Sequence, residues 1–347
     1  MEDPKSVKYI IIDTANLFFK SKYIASRSQS DDERVGMALH LTLQSANTMV
    51  RKFGANATIH VVFALEGRSW RKQFYEPYKR NRVVKEAAKT PSEVELDDLF
   101  NNTYNEFIKY LNEKTNVSVI RCNNAEADDI IARFIQIHPN NEHVIISSDT
   151  DFDQLIAPNV QRYNSLANQL ITIDGYFDEN GKPVIDNKTK EHKKLEDPQF
   201  ILFEKCMRGD STDNIFSAYP GVRKKSTKKT VGLIEAYADR EKKGFNWNNV
   251  MLQSWVDHNG VQHKVKDDYE RNRILIDLTM QPQDIKDNLD EVITNAVNKP
   301  QVSQIGTSFL LFCGKNQLIK ISESITFYIK WLNQPYIGPL KSVKEAA

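Results

Sequence analysis

The chain's 347 residues are 40% hydrophobic and 27% charged, the mix of a globular protein with room for one large domain or two smaller ones. Its 47 lysines and arginines nearly cancel 46 aspartates and glutamates, so net charge singles out no partner, and no apolar stretch nears the ~20 residues of a membrane span. Three scattered cysteines (Cys122, Cys206 and Cys313) predict part-buried thiols in a reducing compartment, and MEDPKSVKYIIID lacks a secretory pattern, so a cytoplasmic protein is expected.

The first predicted element is a buried strand at 9–12 that runs into Asp13. A helical stretch over 35–53 leads to a second strand at 59–64, which ends close to Glu66. Beyond a basic segment lie helical stretches at 93–114 and 125–137, then a third strand at 144–146 followed by Asp149. Strands alternating with helices predict an α/β fold with a mainly parallel central sheet flanked by helices. Ligands of such sheets bind beyond the carboxyl ends of the strands, so the acidic residues would converge on one edge. Residues 165–198 turn polar and read as a hairpin or surface insertion, whereas 199–347 read as mostly helical, with the apolar residues of 309–332 assigned to core. The expected division is an α/β core over 1–198, carrying a basic segment near 68–90, and a helical region over 199–347.

Further carboxylates come in three motifs. In VIISSDTDFDQL, Asp149, Asp151 and Asp153 stand at alternate positions behind the third strand. In AEADDIIARFI, helical spacing sets Glu126 and Asp128 on rows that lead into the apolar face, while Asp129 shares a row with Arg133 and reads as a surface ion pair contributing ~0.3–0.5 kcal/mol. RGDSTDN adds Asp210 and Asp213. Carboxylates packed together repel and need cations to balance them, and oxygen ligands without His or Cys suit Mg²⁺ or Mn²⁺. Two such ions ~3.5–4 Å apart would promote in-line attack of water on a phosphodiester. Zinc is disfavoured, because the seven histidines are scattered without HxxxH spacing. Singly, each motif has an ordinary reading too: Asp13 before Thr14 and Asn16 caps a helix, and SSDTD forms a turn with a cap. The ordered set is what favours a metal site.

Residues 68–85, RSWRKQFYEPYKRNRVVK, hold seven Lys/Arg and one Glu, interleaved with Trp70, Phe74, Tyr75 and Tyr78. Cations neutralise phosphates and rings stack unpaired bases, a single-strand binding combination; the alternative is a solvated basic loop. PGVRKKSTKKTVGLIEAY sets Arg223, Lys224, Lys225, Lys228 and Lys229 before an apolar helix, which makes either a duplex-backbone contact or a charged loop.

In order, YIIID (9–13), VFALEGRSWRKQFYEPYKRNR (62–82), EADD (126–129), SSDTDF (147–152) and GDSTDN (209–214) resemble the motifs of the 5′-nuclease superfamily. That superfamily includes flap endonucleases and the 5′-nuclease domain of bacterial DNA polymerase I. YERNRILIDLTMQPQDI (269–285) is most similar to its T-even phage RNase H branch. The resemblance implies metal-binding carboxylates at Asp13, Glu126, Asp128, Asp149 and Asp151, with Asp210 and Asp213 serving a second ion and Asp153 capping the next turn. Glu66 would stand in for an aspartate where FALEG departs from the family's FD. The resemblance also implies an arch in which Lys79 contacts the scissile phosphate, Tyr78 stacks near it and Arg71 helps hold it, with Arg80 and Arg82 as further nucleic-acid contacts. The cations of 223–229 match the family's helix–turn–helix duplex motif, here without its second glycine.

The resulting expectation is a Mg²⁺-dependent 5′→3′ exonuclease and flap endonuclease with two ions, Mn²⁺ being able to substitute. It would act as a monomer on 5′-flapped or nicked DNA and on RNA–DNA hybrid duplexes, removing RNA primers or flaps during phage replication. By resemblance to the phage branch, a single-stranded-DNA-binding protein or a sliding clamp would bind the C-terminal region. Three rivals stand beside this reading. The basic-aromatic segment and the region beyond 199 argue against a PIN-type single-stranded ribonuclease. A catalytically inactive, structure-specific DNA-binding protein needs an altered acidic set, and a phosphatase on small phosphate esters leaves the arch-like segment unexplained.

Overall fold

The computed structural model describes residues 7–26, 30–55 and 57–338, so the opening residues read for a leader lie outside the described residues. In chain order the first elements are β1 (Val7–Asp13), α1 (Thr14–Ala25), α2 (Asp31–Phe53), β2 (Thr58–Leu65), α3 (Arg71–Phe74), α4 (Arg80–Ala87), α5 (Pro91–Lys114), β3 (Ser118–Arg121), α6 (Ala127–Ile137) and β4 (Glu142–Ile146). A 3₁₀ turn at Thr150–Leu155 precedes β5 (Val160–Asn164), β6 (Gln169–Thr172) and β7 (Gly175–Phe177). Then come α7 (Pro198–Arg208), α8 (Leu233–Ala238), α9 (Phe245–Met251), β8 (Ser254–Val256), β9 (Gln262–Lys264), α10 (Val265–Ile276), α11 (Gln283–Val297), α12 (Ile305–Lys315), α13 (Ile319–Ser322) and α14 (Ile325–Leu332).

These elements form two compact units. The first comprises the described residues of Met1–Arg68, Lys89–Leu195 and Gln283–Ala347, and the second Ser69–Ala88 and Glu196–Pro282. The cut expected at 198/199 is therefore replaced by a nested arrangement. Its cause is packing: Ile305, Phe309, Phe312, Trp331 and Leu332 join Ile10, Ile12, Phe63 and Phe107 in one core, and the Trp331 indole donates to Asn47 Oδ1 at 3.1 Å. Residues 309–332 thus supply core, as their apolar content predicts.

In the first unit a seven-stranded sheet has the order β3-β2-β1-β4-β5-β6-β7, with β1 to β5 parallel and β6 and β7 antiparallel. The mainly parallel sheet flanked by helices is as the strand–helix alternation predicts, and part of the polar stretch after 165 forms its terminal hairpin. β1 is buried along nearly its whole length, as a central strand covered on both faces must be. Ile10 and Ile12 face the core shared with α2, α5, α12 and α14, whereas Tyr9 packs edge-on against Phe134 of α6, 5.0 Å between centroids. Helix starts are locally encoded: Ser30 with Glu33 and Thr90 with Glu93 form capping boxes for α2 and α5. Asp13 pairs in register with Ala64, and Ile12 with Ile146, so β1, β2 and β4 end at one edge.

In the second unit, Phe200, Phe203, Met207, Leu233, Val250 and Val265 form one core, and Tyr78, Leu202, Cys206, Ile215, Leu275 and Ile276 another. All three cysteines are free and buried. Among the described residues no helix is long and apolar enough to cross a membrane.

Candidate metal centre and nucleic-acid interface

The carboxyl edge of the sheet gathers the acidic motifs of the first unit. Asp13, 8% exposed at the end of β1, accepts the Asn16 amide of α1 on Oδ1 at 3.1 Å and the Ser147 hydroxyl on Oδ2 at 2.9 Å. The same Ser147 hydroxyl oxygen accepts the Asp149 amide at 3.1 Å, and Asp149 in turn accepts the Asp151 amide at 2.9 Å. Glu66, exposed just beyond β2, accepts the Ala127 amide at the start of α6 at 3.3 Å. Glu126, Asp128 and Asp129 bring one carboxylate oxygen each within 4.8 Å of one another. Asp13 and Asp149 therefore cap, as the ordinary reading has it, and also stand at the edge. Helix-start amides carry partial positive charge, which holds the carboxylates in place.

Two expectations are corrected here. Asp129 is no surface ion pair: it is fully buried and accepts the Glu126 amide at 3.1 Å, while Arg133 binds Asp290 at 2.6 Å. An unsatisfied amide at a helix start attracts a nearby carboxylate more strongly than a solvated guanidinium one turn away. Asp153 does not cap the next turn either. Its carboxylate is buried against Arg162 of β5 at 2.7 Å, and a second Arg162 nitrogen donates to the Ser147 carbonyl at 3.3 Å. Burial raises the Asp153 pKa and Arg162 opposes it. Sequence reasoning placed Asn16 in a cap and Ser147 in a motif but gave neither a role in orienting the carboxylates; the Asn16 side-chain amide donates to Ser148 Oγ at 2.9 Å.

The basic and acidic motifs of the second unit are engaged with one another. Arg71 is 1% exposed and donates through Nε to the Leu275 carbonyl at 2.8 Å, which makes it a strut rather than the phosphate-holding group expected. Tyr78, 2% exposed, is packed in the core and not placed to stack on a base; its hydroxyl donates to Asp213 at 3.0 Å. Lys79 lies 3.5 Å and Arg82 2.7 Å from the Asp213 carboxylate, and the exposed Arg80 pairs with Glu76 at 3.4 Å. Asp210 binds Lys205 at 2.9 Å; burial acts to raise its pKa, but the lysine and the turn amides outweigh that and hold it below the usual carboxylate range. Of the duplex-motif cations, Arg223, Lys225, Lys228 and Lys229 are exposed. Lys224 instead is held by Glu196 at 2.7 Å and Glu204 at 3.0 Å, and these raise its pKa against the opposing effect of burial.

A parallel α/β sheet that presents hard oxygen donors at its carboxyl edge, with neither His nor Cys in the cluster, fits a divalent-metal hydrolase. Residues 8–182 match the family described as 5′-3′ exonuclease, N-terminal resolvase-like domain, and the chain belongs to that family. Membership places it among metal-dependent nucleases. It is 31% identical to DNA polymerase I of Rhizobium leguminosarum over 181 residues, which are 52% of this chain but only 15% of the polymerase. Flap endonuclease Xni of Shewanella woodyi is 26% identical over 237 residues, 67% of this chain and 79% of that protein. The structure of phage T5 5′-exonuclease with zinc ions bound superposes with a TM-score of 0.55 at 20% identity, covering 83% of this chain and 99% of that one; the likeness is one of fold.

Proposed function

We propose that this protein is a Mg²⁺-dependent 5′→3′ exonuclease and flap endonuclease, a cytoplasmic monomer that removes 5′ flaps or RNA primers during phage replication. Mn²⁺ would substitute for Mg²⁺, with two ions at work. The reading is supported by Asp13, Glu66 and Asp149 standing just beyond the adjacent parallel strands β1, β2 and β4, with Asp151 two residues on, and by Glu126 and Asp128 at the start of α6, whose first amide Glu66 accepts. Similarity to proteins named flap endonuclease supplies the substrate class. When bound, divalent cations supply the positive charge that activates water and stabilises in-line displacement at phosphorus. The chain's own part is to hold those carboxylates at fixed spacing by helix-start amides and Ser147, and to offer cations to the nucleic-acid backbone. Exposed Arg223, Lys225, Lys228 and Lys229 suit nonspecific duplex contact.

Asp149→Asn tests the proposal cleanly, because asparagine keeps the acceptor that caps the following turn. With a labelled 5′-flapped duplex, the wild type should cut near the junction with Mg²⁺ and not with EDTA, while the variant binds the duplex but does not cut. Tight binding without cutting by the wild type under Mg²⁺ or Mn²⁺ would transfer the reading to an inactive structure-specific binding protein. Preference for unstructured RNA would favour the PIN-type ribonuclease.

A further inference from the structure

We propose that a cavity between α1 and α5 is the subsite for the 5′-terminal nucleotide of the cut strand, the one that leaves as a nucleoside 5′-monophosphate in exonuclease turnover. The assignment rests on the nuclease reading and adds to it the place of the leaving nucleotide. The cavity measures about 230 Å³, and its lining residues all belong to the first unit. Pockets for drug-sized ligands run to roughly 300–1,000 Å³, so this one has room for a single base and not for two. Its apolar wall is aromatic: Phe18 and Phe100 are buried with ring centroids 6.3 Å apart, and the Tyr104 ring lies 5.0 Å from Phe18. Flat rings suit a base of any sequence.

The polar side chains of the cavity are open to a ligand. Asn101 and Arg121 are exposed and Tyr104 is half-buried, and among the described residues none of these three side chains forms a hydrogen bond or an ion pair. Burial raises the Tyr104 pKa, with Arg121 opposing and Asp13 and Glu66 adding to it, so the phenol keeps its proton and can donate. Asn101 offers both a donor and an acceptor, and the Arg121 guanidinium offers the paired donors that a phosphate takes. The other cation of the cavity, Lys22, is already engaged: it pairs with Asp97 and lies 4.7 Å over the Phe100 ring. Arg121 is thus the cation on which the phosphate of the nucleotide would rest. Position completes the argument. Arg121 ends β3 in register with Leu65, and the next residue of that neighbouring strand end, Glu66, lines the same cavity. A nucleotide held there lies beside the carboxylate edge, where the bond to its 3′ neighbour would be cut. Glu66 repels a bare phosphate, so binding calls for the divalent cation that neutralises the edge.

The test is calorimetric titration of the full-length protein in Mg²⁺ with dAMP, deoxyadenosine and inorganic phosphate, for wild type, Arg121→Gln and Tyr104→Phe. Both substitutions keep most of the side-chain bulk, and thermal melting confirms that the variants fold. The wild type should bind dAMP at least tenfold more tightly than either fragment, and more weakly in EDTA. Arg121→Gln should weaken dAMP roughly tenfold without moving deoxyadenosine, and Tyr104→Phe should weaken dAMP a few-fold. On a 5′-phosphorylated duplex, both variants should release mononucleotide more slowly. Equal dAMP affinity in the three proteins, or phosphate binding as tightly as dAMP, would put the phosphate on the metal edge alone and overturn the proposal. A wild type that binds dAMP in the expected pattern yet cuts no 5′ end or flap would sink the nuclease reading, and with it the role of the nucleotide as a leaving group. One that cuts but binds no dAMP would sink the subsite and leave that reading standing.

Discussion

At the scale of single residues, Ser147 links two aspartates of the carboxylate edge. It is 1% exposed, its hydroxyl donates a hydrogen bond to Asp13 and accepts one from the Asp149 amide, and Arg162 donates to its carbonyl. A group that orients two candidate ligands at once acts on metal affinity without touching the metal, and loss of such partners typically weakens binding about 10–100-fold. Ser147→Ala should therefore shift Mn²⁺ binding by that order while the thermal midpoint moves little. Unchanged Mn²⁺ affinity would mean that the strand ends and helix starts alone fix Asp13 and Asp149. The neighbouring Asp153–Arg162 pair is a different matter: both partners are buried, so removal of either one strands a charge at a cost of about 3–5 kcal/mol.

At the scale of elements, what could be read from the sequence follows burial. β1, β2 and β4 are continuous apolar runs because both their faces are covered, and they are found at once. β3 escaped notice because it is four residues long with an exposed end, and β5 because VQRYN hides a buried arginine whose charge Asp153 matches out of sight in the sequence. The carboxylate motifs of the first unit were legible because each stands just behind a strand or opens a helix, whereas Asp210 and Asp213 follow the end of α7. Their hydrogen-bond partners were not, since periodicity reports which face is apolar and not which amide lies opposite. The glycine of FALEG shows how an element junction is set. A Cβ on Gly67 would lie 1.9 Å from the Cys122 carbonyl oxygen and 2.5 Å from that of Ala125, and both are backbone. Gly67→Ala must push the end of β2 away from the loop that starts α6, pulling Glu66 from the Ala127 amide. The expected cost is about 1–3 kcal/mol. A lowered thermal midpoint together with weaker Mn²⁺ binding would show that this close approach sets the site, whereas an unchanged midpoint would refute it.

At the scale of the molecule, the response of the first unit to acid is set by its buried histidines. His60, His138 and His143 are buried around Tyr9 and Tyr336; His138 bonds to the Tyr336 hydroxyl at 2.7 Å, and His60 to Ser118 at 2.8 Å. Burial, with Lys299 and His138 adding like charge, pushes His60 down to about 4, and burial pushes His143 down to about 4 as well. In the unfolded chain both rings titrate near 6.5, so between that pH and about 4 the unfolded state binds protons that the native state refuses. Their contribution is thus complete above pH 6.5 and is lost as the pH falls toward 4, on the order of 3 kcal/mol for each ring. Urea midpoints at pH 7.5 and 4.5 separate this from the carboxylates: the wild type should lose stability on acidification, and His60→Gln and His143→Gln should each lose less, because glutamine keeps a donor and an acceptor but binds no proton. Equal losses in all three proteins would assign the acid sensitivity elsewhere and leave the buried histidines as packing groups alone.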